Sequence, residues 1–157
     1  MRLHKRPLFF SRGNSYIHTM NGFILKTPIF PQPIRFQYYR DQAPVTCAAF
    51  DAILPFTCTL IHARISGQEI WTDSPPILDI IQENASVFAE PGEVVFGPLH
   101  PKRAKTSNCM GIYYGEGKGL DACNIFAVVY PGDRELLVQV GNAIWQDGRQ
   151  AFLFDHC

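Results

Sequence analysis

The chain has no excess of charge of either sign: over 157 residues, Lys and Arg total 14 and Asp and Glu total 14. No basic field is available to attract a phosphate backbone, so a nucleic-acid partner is not expected. Long apolar runs are also missing. No stretch reaches the roughly 20 residues needed to span a bilayer, and no membrane association is expected. The cysteines Cys47, Cys58, Cys109, Cys123 and Cys157 are odd in number and include no C-x-x-C pair. That spacing argues against a structural zinc site and a disulfide framework. It fits reduced thiols in a cytoplasmic protein, with Cys157 the most exposed. No Gly-x-Ser-x-Gly elbow marks a serine hydrolase. Gly115–Gly119 (GEGKG) lacks the strand-to-helix setting of a phosphate loop and reads as a flexible turn. No metal or other cofactor is expected.

What is present describes a globular chain. Apolar residues make up 46% and charged residues 18%, enough apolar content for one well-buried core. Twelve each of Gly, Pro and Phe suggest short strands joined by tight turns rather than a helical bundle. The first 20 residues carry Arg2, Lys5, Arg6 and Arg12, and their apolar run from Pro7 to Phe10 is too short for a secretory signal. Three readings compete: a loose tail, an organelle-targeting segment, or residues upstream of an initiator at Met20. The first is the expectation, with a poorly ordered tail over 1–22 and a single domain over 23–157.

Strands are expected at Phe23–Lys26 and Ile34–Tyr39, around the Pro28–Pro33 turn. Pro44 suits the first turn of a short helix that Pro55 ends. Its apolar stripes are Val45, Ala49, Ile53 and Cys47, Phe50, Leu54. Further strands are expected at Glu93–Gly97, Met110–Gly115, Asn124–Tyr130 and Ala151–Phe154. A second helix is expected over Asp133–Gln146, with Asp133 as N-cap and Leu137, Val140, Gly141 and Ile144 at helical spacing.

The segment Thr59–Asp73 (TLIHARISGQEIWTD) carries the main functional expectation. A two-residue hairpin turn at Ser66-Gly67 sets Ile65 opposite Gln68, Arg64 opposite Glu69, Ala63 opposite Ile70 and His62 opposite Trp71. Opposed residues share a face. The core would then take Ala63, Ile65 and Ile70, while His62, Arg64, Glu69 and Trp71 would share the other side. Each has a plainer explanation. Arg64 and Glu69 would form a surface ion pair worth well under ~1 kcal/mol, His62 would be a structural histidine and Trp71 a packing residue. Only their shared face raises them to a candidate site. Tyr113 shares parity with Gly111 and joins that side. Tyr114 has the parity of Ile112 and does not. Asn84 reads as a loop cap. His100, Lys102, Arg103 and Lys105 read as a solvated loop able to meet an acidic ligand. Cys109 and Cys123 show no sign of a catalytic thiol.

The order of segments resembles the cyclophilins. DQAPVTCAAF (from Asp41) is similar to their entry into the first helix, and HARI (from His62) to their Phe-His-Arg-Val strand. PGEVVFGP (from Pro91) and NIFAVVYPGDRELL (from Asn124) are similar to their later strands and short helix. The likeness is closer to a bacterial and archaeal cyclophilin-like family of unknown function, whose members similarly carry Ala-Pro-x-Thr-Cys and His-Ala-Arg-x-Ser-Gly-x-Glu. It covers roughly residues 34 to 154. It implies a mainly β, closed barrel with about two short helices capping its ends. It also places Arg64 where prolyl isomerases carry the arginine that polarises the prolyl amide, easing rotation over a barrier of about 20 kcal/mol. The Phe, Met and Gln that follow in those enzymes are replaced by Glu69, Ile70 and Thr72. The leading expectation is therefore a small anionic or amide-containing ligand bound by His62, Arg64, Glu69, Trp71 and Tyr113. A prolyl isomerase with an altered pocket and a homo-oligomeric interaction module are the alternatives.

Overall fold

The computed structural model describes residues 21–157. The tail reading for residues 1–20 lies outside the described residues. The first strand starts one residue before Phe23, with Gly22 paired to Gln37. In chain order the elements are β1 (Gly22–Lys26), β2 (Ile34–Tyr38), α1 (Pro44–Ile53), β3 (Phe56–His62), β4 (Gly67–Thr72), β5 (Ala85–Ser86), β6 (Glu93–Phe96), β7 (Met110–Gly117), β8 (Cys123–Val129), α2 (Arg134–Asp147) and β9 (Gln150–His156). A single 3₁₀ turn, Pro131–Asp133, leads into α2.

The strands run in the spatial order β2-β1-β9-β3-β4-β7-β6-β8, and β2 pairs in turn with β8. The ring of eight antiparallel strands is thus closed, which removes free sheet edges. Short β5 hangs outside it on β8. Alternation along each strand sends one set of side chains inward. Phe23, Phe36, Phe126 and Phe154 are fully buried there and Phe50 joins them from α1. Phe23 and Phe36 stack with ring centroids 4.9 Å apart.

Of the two stripes on α1, Cys47, Phe50 and Leu54 enter the core and Val45 stays exposed. Pro44 opens the helix as expected, but no residue of α1 caps its first turn. Glu83 does so from another segment, its Oε1 accepting from the Thr46 amide at 2.6 Å and from the Thr46 hydroxyl at 2.9 Å. Asn124, fully buried, ties Thr46 and the Ile81 carbonyl to β8.

The buried face of α2 is Leu137, Val140, Gly141 and Ile144, the four residues read from the spacing. Asp133 occupies the N-cap position but its carboxylate does not cap the helix. It accepts instead from the Arg35 backbone amide and Nε at 2.8 Å and from Nη2 at 3.0 Å. A bidentate guanidinium outcompetes the helix amides for one carboxylate. It also pulls the Asp133 pKa below 3.8, chiefly through those hydrogen bonds. The GEGKG segment is a further correction. Gly115, Glu116 and Gly117 continue β7, and Gly117 pairs with Gly67. Among the described residues no helix is long and apolar enough to cross a membrane.

Candidate functional site

β3 and β4 form the expected hairpin with a register one residue different from the expected one. Ile61, not His62, stands opposite Trp71, and His62 stands opposite Ile70. The physical reason lies in the turn. Residues 64–66 form a wider bend, Gly67 takes a φ of 92°, and a bulge separates Gly67 from Glu69 in the pairing with β7. Ser66 folds inward and donates its hydroxyl to Glu69 Oε1 at 2.6 Å. Because side chains alternate with a period of two, a slip of one residue moves one strand's set to the opposite face.

His62 is the residue that this slip relocates. It borders the cleft at one edge, but its ring is engaged on the α2 side. Nδ1–H donates to the Ala63 carbonyl, and Nε2 lies 2.7 Å from the Tyr114 hydroxyl. Trp145 of α2 packs against the same ring, centroids 4.7 Å apart. Gly141 admits the Tyr114 ring, since a Cβ there would lie 2.2 Å from it. Ile65, expected in the core, is 75% exposed on the bend.

Glu69, Trp71 and Tyr113 do come together, as the parity reading requires. Glu69 and Trp71 point away from the barrel interior, alternating with buried Ile70 and Thr72. Opposite Glu69 on β7 stands Tyr113, which also points outward. These side chains line a cleft of about 650 Å³ on the outer wall of the barrel. Arg64 lies at its rim, exposed, with no ion pair or hydrogen bond among the described residues. The expected Arg64–Glu69 surface pair is therefore not formed.

Glu69 is only 9% exposed. Its Oε1 accepts from the Ser66 hydroxyl at 2.6 Å, and the neutral Tyr113 hydroxyl also favours its ionised form. Loss of water raises its pKa above 4.5, and the two hydroxyls oppose that rise without cancelling it. Gly111 on β7 provides the space, because a Cβ there would lie 2.1 Å from Glu69 Oε2. Burial likewise pushes up the Tyr113 phenol. It lifts the thiols of Cys109 and Cys123, which also line the cleft, to about 11 and about 12. Both are thus neutral and weakly nucleophilic near pH 7, in line with their sequence reading.

Sequence reasoning missed Ser66 as a site residue, because it read Ser66 only as a turn former. It also missed Asp73 and Asp121 on the cleft wall. Of the basic loop, Lys105 lines the cleft. Arg103 is instead tied to the Ala122 carbonyl and Gln82, and His100 to Asp79. Asn84 is a loop residue with φ 43°, its amide donating to the Ile125 carbonyl at 2.7 Å. Among the described residues no three His, Cys, Asp or Glu side chains cluster closely enough to hold a metal ion.

A closed eight-stranded barrel with an outer-wall cleft around a buried carboxyl defines the class of protein. The chain belongs to the protein family of unknown function DUF3830, which matches residues 33–155. No curated protein matches it. Among solved structures it is similar to McbB in complex with tryptophan, with a TM-score of 0.69 and 14% identity over 85% of this chain and 44% of McbB. The chain thus spans less than half the length of McbB. It is also similar to the hypothetical protein AF2241 from Archaeoglobus fulgidus, solved in solution, with a TM-score of 0.59 and 13% identity. That match covers 89% of this chain and 98% of AF2241. At such identities the likeness is one of fold.

Proposed function

We propose that the chain binds a small molecule in the cleft lined by Glu69, Trp71 and Tyr113. Arg64 at the rim takes a carboxylate or carbonyl oxygen, and Glu69 takes a hydrogen-bond donor of the ligand. The observation that carries this reading is a nearly buried carboxyl opening onto a cavity rather than packed against a cation. Structural carboxylates that deep are ordinarily paired, as Asp133 is with Arg35. The volume, about 650 Å³, falls within the roughly 300–1,000 Å³ usual for small-ligand sites. Trp71 supplies an apolar wall, and the amide and carboxylate classes expected from the sequence both suit Arg64. Tryptophan, the molecule bound in McbB, is of a size and polarity that this cleft would accept.

The isomerase alternative gains no support from the hairpin. Ile70 and Thr72, at two of the positions that follow the arginine in cyclophilins, turn away from the cleft and are buried.

A thermal-shift screen of small carboxylates, amides and proline peptides tests the reading, with Arg64→Ala alongside. A ligand at about 100 times its Kd adds about 2.7 kcal/mol to the stability of the folded form. The expected outcome is a hit among the carboxylates or amides that Arg64→Ala weakens. A screen in which nothing shifts either protein would remove the proposal.

A further inference from the structure

Resting on that reading of the cleft, we infer that the ligand group docking on Glu69 is a cationic nitrogen, so that the preferred ligands are dipolar: an amine for Glu69 and a carboxylate for Arg64.

The argument begins with what Glu69 has and lacks. An ionised carboxylate offers about four acceptor positions. One is used here, by the Ser66 hydroxyl at 2.6 Å, and the Tyr113 hydroxyl, which also favours the ionised form, is neutral as well. No Lys, Arg or His among the described residues forms an ion pair with Glu69. The remaining acceptor positions belong to a group that is 9% exposed and borders the cavity. A neutral amide N–H arriving there would fill a lone pair but leave the buried charge uncompensated. An ammonium does both, and in a site with little water the attraction is screened least.

The wall around Glu69 favours the same sign of ligand. Asp73 and Asp121 line the cleft with it, and Asp121 is held by the Thr106 hydroxyl at 2.8 Å. The cations of the cleft, Arg64 and Lys105, are exposed on the β3–β4 bend and on the loop before β7. Of the cleft's charges only Glu69 is buried, Asp121 is half-buried, and Asp73, Arg64 and Lys105 are exposed, so a ligand reaching inward directs its amine to Glu69 and keeps its anionic end by the exposed cations. The carboxyl is also positioned in advance, with Ser66 on one oxygen and the bare backbone of Gly111 beside the other. Free amino acids and short peptides with a free amino terminus carry this pair of groups.

Calorimetric titration of the full chain with phenylalanine, N-acetylphenylalanine and phenethylamine tests the inference. The acetyl group removes the ammonium and leaves the carboxylate, while phenethylamine keeps the ammonium and lacks the carboxylate. Phenylalanine is expected to bind tightest, and acetylation to cost tenfold or more. In Glu69→Gln that tenfold gap should close, and Arg64→Ala should instead close the gap between phenylalanine and phenethylamine. Gly111→Ala, which displaces the Glu69 carboxyl without removing it, provides a second variant should Glu69→Gln fold poorly, and should also close the acetylation gap. Equal binding of the acetylated and free compounds would overturn the inference while leaving the cleft a small-molecule site. Binding by none of the three would overturn both.

Discussion

At Glu69 two effects oppose each other: hydroxyl donors from Ser66 and Tyr113 favour the carboxylate, and burial favours the neutral acid. Burial is the larger, so the folded-state pKa lies above 4.5. The sign of the linkage follows. A folded state that holds its proton more tightly than the unfolded chain gains stability below the unfolded pKa and loses it as pH rises through the folded one. The thiols of Cys109 and Cys123, at about 11 and about 12, stay neutral throughout that window. The charges sharing the cleft are Asp73 and Asp121, with Arg64 and Lys105 at the rim. Glu69→Gln cannot ionise. Denaturant melts from pH 4.5 upward to neutrality should show the wild type losing stability relative to Glu69→Gln, and parallel curves would contradict the assigned shift.

Elements decide what individual residues can do. His62 and Trp71 lie on one hairpin, and a turn of one length puts them on one face while a slightly longer bend separates them. The outward parity of Glu69 and Trp71 was legible because alternation along a single strand needs no partner. The register was not, because it depends on Ser66 reaching Glu69 and Gly67 pairing with Gly117 on a strand some fifty residues on in sequence. Helix α2 shows the converse. Its buried stripe was fully legible from periodicity, yet the use of Asp133 depended on Arg35, far away in the chain. The same helix gives a test of packing. Ala for Gly inside a helix ordinarily stabilises by up to about 1 kcal/mol. At Gly141 the new Cβ would lie 2.2 Å from the Tyr114 ring, and overpacking of this kind costs about 1–3 kcal/mol. Gly141→Ala should therefore lower stability in a denaturant melt, and a more stable variant would show that Tyr114 moves aside freely.

On the scale of the whole molecule, stability depends on ring closure. β9 is the last strand in sequence but sits between β1 and β3, and it contributes buried Phe152 and Phe154 to the core. Removing residues 149–157 would open the barrel and leave two edges and an uncovered aromatic cluster. The truncated chain should lose its cooperative thermal transition and its near-ultraviolet circular dichroism; a sharp, native-like melt would mean that an open sheet suffices.

The sequence by itself determined the mainly β class, the two helices, the strands that build the ring and the outward parity of Glu69, Trp71 and Tyr113. All of these follow from local periodicity and from residues that end or open an element, such as Pro44 and Pro55. Only the tertiary structure decided the hairpin register, the turning of His62 toward Tyr114, the absence of an Arg64–Glu69 pair and the burial of Glu69 beside Gly111. Tyr114 turns His62, Gly111 makes room for Glu69 and Gly117 pairs with Gly67, and all three lie on β7, some fifty residues from the hairpin, where periodicity along one strand cannot reach.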